Sequence, residues 1–236
     1  MRGPSRARCT LVLLPGMDGT GDLFVPLIAA LDPSLTPEIV RYPDVPLDYA
    51  GHVAVARERL PNDAPYVLLG ESFSGPVAIT LAASAPPRLL GVVLCASFVR
   101  RPRIALQVLR PLVGFVHPRM VPAPIAELAL MGRYATPELR RAHSDCLRTV
   151  SRRTLSARLE AVADVDVTET LAGLRLPLLY LRGREDRVVP ASAMRLFMRH
   201  APSARVLDIE GPHFLLQTKP RESAAALLEF VRAIGG

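Results

Sequence analysis

The chain reads as an α/β protein, a mostly parallel sheet flanked by helices and interrupted by an inserted helical cap. Short apolar runs, suited to strands buried on both faces, alternate with stretches of helical pattern, as a parallel sheet requires. A glycine-flanked serine, Ser72, stands where one such run, Tyr66 to Gly70, gives way to the Ala-, Ile- and Leu-rich stretch Pro76 to Ala85. Between about 100 and 170 the alternation stops, and Pro102, Pro111, Pro118, Pro122 and Pro124 cut the chain into short amphipathic helices. With 236 residues, 50% of them hydrophobic, the chain suffices for one well-cored domain carrying such an insertion. Residues 1–99 and 171–236 are therefore expected to form the core, and 100–170 the cap.

In chain order, Thr10 to Leu14 predicts a first strand, ending in the glycine-rich loop Pro15 to Gly21. A helix over Phe24 to Leu31 follows, then a strand over Pro37 to Tyr42 and a helix over Tyr49 to Leu60, with apolar Val53, Val55 and Leu60. Tyr66 to Gly70 is the third strand, and its helix stops near Pro86 and Pro87. Leu89 to Phe98 predicts a long fourth strand. In the cap, helices are expected over Ile104 to Leu109, Ile125 to Met131, Pro137 to Thr149 and Arg153 to Val162. The sheet resumes at Pro177 to Gly183, followed by a helix over Ala191 to His200, a strand over Ala204 to Ile209 and a closing helix over Arg221 to Ile234.

No run approaches the ~20 apolar residues of a membrane span, and Thr10 to Leu14 is short for a signal-peptide core. Three cysteines, Cys9, Cys95 and Cys146, are odd in number and lack metal-type spacing, which predicts a reduced, cytoplasmic compartment and no metal site. Cys9 and Cys95 lie in apolar strand-like runs as small core residues. The charge is concentrated. Residues 100 to 158 hold twelve arginines against Glu127, Glu138 and Asp145, so this segment carries +9 and the remainder −2. A genome that favours arginine codons accounts for Lys219 being the only lysine, but not for acids avoiding this segment. A positive field there suits an acidic partner or substrate, with Arg140, Arg141, Arg152 and Arg153 as the contact residues. Nucleic acid is disfavoured, because no interleaved aromatics accompany the arginines.

The chemistry is sought around Ser72. A serine at a strand-to-helix corner sits on a strained turn that exposes its Oγ, and GESFSG departs from the usual GxSxG by placing Ser74 at the second glycine position and Gly75 after it. The alternative is a serine capping the helix of an ordinary turn. A hydroxyl nucleophile needs a base, and the base an acid to hold it. His213, in Glu-Gly-Pro-His-Phe after the last strand, is the candidate base; His52 and His200 fall at helix ends as solvated or capping residues, and His117 and His143 belong to the cap. Asp186, in GREDRVVP after a strand, is the candidate acid, with Glu185 its local rival and Asp164, Asp166 and Asp208 less well placed. Backbone amides of Met17 and Phe73 are the candidate oxyanion hole, and their side chains face either an acyl pocket or the core. Asp18 is a turn residue. Phe98, Phe115 and Met131, with Leu112, Val116 and Leu128, are candidate substrate-contact residues, although their spacing also suits ordinary packing.

The set LPGMDGTG, GESFSG, GREDRVVP and GPHF, in this order, resembles the α/β-hydrolase superfamily across nearly the whole chain. The resemblance implies an α/β-hydrolase fold, a serine hydrolase with Ser72, Asp186 and His213 as triad, a helical cap and no cofactor. The stretch Leu159 to Pro190 is similar to esterases that cleave pimeloyl-acyl-carrier-protein methyl esters, which implies an acyl-carrier protein as partner of the arginine-rich cap. The PGMDGTG loop is similar to one in plastid phytyl ester synthases. An acyltransferase or thioesterase on the same triad, or a ligand-binding receptor with an idle triad, therefore stands beside a carboxylesterase. An aspartate nucleophile, as in dehalogenases and epoxide hydrolases, is disfavoured by Ser72.

Overall fold

The computed structural model describes residues 9–101 and 122–235. Among them six strands, β1 (Cys9–Leu14), β2 (Leu35–Ile39), β3 (Tyr66–Glu71), β4 (Leu89–Cys95), β5 (Leu178–Gly183) and β6 (Arg205–Ile209), form one sheet in the order β2-β1-β3-β4-β5-β6. Every pairing is parallel. The helices of the two layers are α1 (Val25–Ala30), α2 (Tyr49–Arg57), α3 (Gly75–Ala83), α7 (Thr168–Gly173), α8 (Ala191–His200), α9 (Leu215–Thr218) and α10 (Pro220–Ile234). Between β4 and β5, and before α7, lie α4 (Ala123–Leu130), α5 (Pro137–Thr149) and α6 (Arg152–Asp164).

The central strands β1, β3, β4 and β5 lack a polar face because both faces are covered. Successive side chains point to opposite sides of a strand. Val12, Leu14, Leu68, Val92, Leu94 and Tyr180 accordingly join Val77, Leu81 and Phe197 in one buried cluster. Leu11, Leu13, Val67, Leu69, Val93, Leu179 and Leu181 join Leu27, Leu215, Leu227 and Phe230 in the other. The chain order reverses between β1 and β3, the switch point at whose carboxyl end open α/β sheets bind ligands.

Two strands differ from expectation by more than one residue. β2 spans Leu35–Ile39 rather than 37–42, because its register is set by β1, Cys9 facing Leu35 and Leu13 facing Ile39. Beyond it the chain bends, and Tyr42 N–H donates to the Gly19 carbonyl instead. Pro37 is accommodated because β2 is an edge strand. β4 stops at Cys95 rather than Phe98, since Ala96 turns left-handed at φ 47°. The short helices α7 and α9 have too few residues for a periodic signal to emerge. The expected helix over 104–109 lies outside the described residues.

The segment between β4 and α7 leaves and returns side by side. Arg100 and Asp166 form an antiparallel bridge, Val167 N–H donates to the Val99 carbonyl at 2.8 Å, and Arg101 N–H donates to the Val165 carbonyl at 3.0 Å. Thr136 and Ser151 cap α5 and α6, their hydroxyls accepting from Leu139 and Thr154 N–H. Among the described residues, no helix is long and apolar enough to cross a membrane.

Candidate active site

Ser72 follows β3 directly and has φ 47°, the left-handed region that costs a non-glycine residue about 1–3 kcal/mol. Its neighbours hold it there. Ser97, after β4, donates its hydroxyl to the Ser72 carbonyl at 2.5 Å. A Cβ on Gly70 would lie 2.6 Å from the Ser74 carbonyl oxygen, so only glycine fits beneath the turn. A Cβ on Gly75 would collide with the Ser97 side chain, so the close approach usually served by the motif's second glycine falls one residue later here. Ser74, at the departed position, is fully buried, donates to the Pro15 carbonyl and lies 2.8 Å from the Tyr42 hydroxyl. The substitution thus fastens the elbow to the glycine-rich loop after β1.

Ser72 Oγ lies 2.9 Å from His213 Nε2. On the far side of the ring, Nδ1 lies 2.9 Å and 3.1 Å from the two carboxylate oxygens of Asp186. A carboxylate only accepts, so Nδ1 carries the proton and Nε2 is left to accept from the serine hydroxyl. Asp186 is oriented in turn by the Val188 and Val189 N–H groups, which donate to its Oδ1 at 2.8 Å and 2.9 Å. The side chains of His213 and Asp186 are only 5% and 4% exposed, which keeps their charges poorly screened. Burial pulls the His213 pKa down, but the Asp186 charge and hydrogen bond, with the Glu71 charge, outweigh it and leave the pKa raised.

Two further carboxyl groups stand close by. Glu71, one residue before the serine, is buried; that burial pushes its pKa up to about 7, against Gln217 Nε2, which donates to Oε1 at 2.8 Å, and a Gly16 N–H bond. Asp18 is the turn residue expected, its Oδ1 accepting from the Thr20 N–H at 2.9 Å. On the other flank of the loop, Arg158 of α6 donates to the carbonyls of Met17 and Asp18. Glu71, Ser74, Gln217 and Arg158 are contacts of the site that sequence reasoning missed. Glu71 and Ser74 lie inside the quoted motif, whereas nothing local distinguishes Arg158 among twelve arginines.

The other expectations resolve as follows. His52 is a correction: it lies inside α2, fully buried, with Nδ1 2.6 Å from the Asp48 carbonyl and its ring 4.7 Å and 4.9 Å from those of Tyr42 and Phe73. Burial lowers its pKa to about 4, so it packs as a neutral ring. The Phe73 ring sits in this cluster, stacked on Tyr49 at 4.9 Å, and faces the core rather than an acyl pocket. Phe98 is buried in the same core, and Met131 packs with Leu23, Cys146 and Phe214, so both are packing residues here. Phe115 and His117 lie outside the described residues. His143 of α5 meets Phe214, the neighbour of His213, edge-on at 5.2 Å. Glu185 is held by the Tyr134 hydroxyl at 2.7 Å and by Arg133 at 2.9 Å, while Asp166 pairs with Arg100 and Asp208 with Arg182. Arg140, Arg141, Arg152 and Arg153 are exposed on α5 and α6, with Arg140 paired to Glu127 at 2.8 Å.

Comparison with known proteins places this geometry in a family. The family described as serine aminopeptidase, S33, matches residues 36–211, a span that contains Ser72 and Asp186. Pimeloyl-[acyl-carrier protein] methyl ester esterases are similar along nearly their full length. That of Xylella fastidiosa strain M23 is 28% identical and that of Xanthomonas campestris pv. campestris strain B100 27%, each with 95% of both chains covered. Among solved structures, a bromoperoxidase from Bacillus anthracis superposes with a TM-score of 0.81 at 18% identity, over 96% of this chain and 92% of that one. A lipase-esterase related protein from Clostridium acetobutylicum gives 0.79 at 15% identity, over 97% and 96%. These structures share the fold. The chain belongs to the serine aminopeptidase S33 family and is a hydrolase of the α/β-hydrolase fold.

Proposed function

We propose that the protein is a serine carboxylesterase that works through an acyl-enzyme. The observation that carries this reading is the pair of contacts on one imidazole, 2.9 Å to Ser72 Oγ and 2.9 Å to Asp186 Oδ2. Ser72 Oγ attacks the ester carbonyl while His213 Nε2 takes its proton, and Asp186 stabilises the imidazolium that results. The tetrahedral oxyanion is met by the Met17 and Phe73 amides, donors each worth about 3 kcal/mol. His213 then protonates the departing alkoxide, and water attacks the acyl-serine with the same base assisting.

The substrate is proposed to be an acyl ester carried by an acidic protein, with residues 100–170 as a cap over the site and a cytoplasmic location. Two things support this: the relatives are named for a carrier-linked methyl ester, and residues 100–158 of the cap carry +9 with exposed arginines on α5 and α6. Ser72→Ala tests the chemistry. Hydrolysis of aryl esters is expected to fall by about 10⁴-fold or more, with an unchanged thermal midpoint and no labelling by a serine-directed phosphonate. Turnover close to wild type would end the proposal.

A further inference from the structure

Among the described residues Arg158 is the largest fully buried side chain, and it carries a charge. A buried guanidinium costs several kcal/mol unless its donors are satisfied, and an acid is the usual partner. Here the hydrogen-bond partners are carbonyls, and the Asp18 and Asp44 carboxylates favour the charge through space. Nη1 donates to Met17 O at 2.9 Å and to Asp18 O at 2.8 Å, and Nη2 to Pro43 O at 3.3 Å, while the group lies 5.9 Å from the Tyr42 ring centroid. Nε has no partner. The charge reaches from α6 into the loop after β1.

What it grips is the loop beside the nucleophile. The Pro15 carbonyl accepts from Ser74, the Gly16 N–H is bonded to Glu71, the Gly16 carbonyl accepts from Gly19 N–H at 3.1 Å, and the next two carbonyls accept from Arg158. The peptide units on both sides of Met17 are thereby locked. The loop is also shaped for the guanidinium: Gly19 has φ 72°, and a Cβ there would lie 2.6 Å from Arg158 Nη1.

We propose that Arg158 is a positioning residue, which holds the Met17 amide in line as an oxyanion donor and so makes the inserted helical segment part of the rate-determining geometry. The inference rests on the esterase reading above. Nη1 bonds two successive carbonyls while Nη2 of the same plane reaches the Pro43 carbonyl, and the one nitrogen of a lysine cannot stand at both places. Losing a whole oxyanion donor costs about 10²–10³-fold in kcat, and a donor left free to swing costs part of that.

The test compares wild type with Arg158→Gln, Arg158→Lys and Gly19→Ala, each normalised by phosphonate titration of active sites. Two quantities are read: the kcat and KM of an aryl ester, and the Ki of an aryl trifluoromethyl ketone, whose hemiketal oxyanion occupies the hole. We expect per-site kcat to fall at least about 10-fold with KM nearly unchanged, and Ki to rise in step with the loss in kcat/KM. If Arg158→Gln is insoluble, the lysine variant decides on the same readouts. A lowered thermal midpoint with per-site kcat and Ki at wild-type values assigns Arg158 to folding alone and overturns the inference. That result leaves the esterase reading intact; only turnover that survives Ser72→Ala removes both.

Discussion

The elbow and the inserted helical segment are built on opposite principles. At the elbow the backbone itself is packed to contact: Val67, Leu68 and Leu69 are fully buried, Gly70 has no room for a methyl group, and Ser72 is held left-handed by Ser97. The inserted segment adds side-chain packing, Met131 and Cys146 against Leu23 and Phe214, to separate polar ties: the neck at Arg100 and Asp166, the Ser151 N–H bond to Asp44 at 2.8 Å, the Phe214 N–H bond to Leu130 at 2.8 Å, and Arg158. Contacts between backbones tolerate no substitution, whereas polar ties can be cut one at a time. The elbow should therefore respond all-or-none to mutation, and the inserted segment should respond by degrees.

Gly70→Ala should break the comparison hardest. The added methyl would meet the Ser74 carbonyl oxygen at 2.6 Å and its carbon at 2.9 Å, backbone atoms that cannot move without moving the helix start. Overpacking of a well-packed site costs about 1–3 kcal/mol, and backbone displacement puts this change at the upper end or beyond. Denaturant midpoint and activity should fall together. A variant with near-wild-type stability and turnover would show that the elbow has slack that the geometry does not suggest.

The same contrast explains what could be read in advance. The central sheet was legible because doubly buried strands are runs of Val and Leu, and the candidate site residues Ser72, Asp186 and His213 were legible because each follows a strand within a few residues. Local sequence failed where partners are distant. His52 looked like a helix-end residue, yet Tyr42 and Phe73 enclose it. Arg158 looked like one positive charge among many, and only the fold brings it to a loop some 140 positions earlier. Glu71 was passed over although it adjoins Ser72 in sequence, because its hydrogen-bond partner Gln217 stands on α9, a helix too short to announce itself.

Glu71 sharpens the comparison through pH. Burial raises its pKa from 4.5 to about 7, so the folded state favours the neutral acid. That contribution to stability is fully present below the unfolded value and is lost as pH rises through about 7. Glu71→Gln should remove the loss: the thermal midpoint of the variant, relative to wild type, rises between pH 5 and 8. The Glu71 charge also helps to raise the His213 pKa, so the acid limb of kcat/KM should move to lower pH in the variant. The move is less than one full charge would give, because Glu71 is itself part protonated there. Parallel pH profiles of midpoint and rate in both proteins would sink the assignment of a neutral, buried carboxyl beside the nucleophile.

The smallest effect on the chemistry should come from the exposed arginines. Solvated ion pairs such as Arg140 with Glu127 contribute at most about 1 kcal/mol, so replacing Arg140, Arg141, Arg152 and Arg153 by Gln should leave the fold and small-ester turnover within about 2-fold of wild type. A carrier-linked ester is different, because an acidic protein meets the whole field. Its kcat/KM should fall by about 10-fold or more at low salt, and the gap to wild type should close as ionic strength shortens the Debye length to a few ångströms. That salt dependence separates recognition from packing: a partner held by apolar contact loses nothing on adding salt, whereas one steered by guanidinium groups converges on the variant. Equal loss on both substrates, independent of salt, would make these arginines a solvated face and leave Arg158 as the segment's tie to the chemistry.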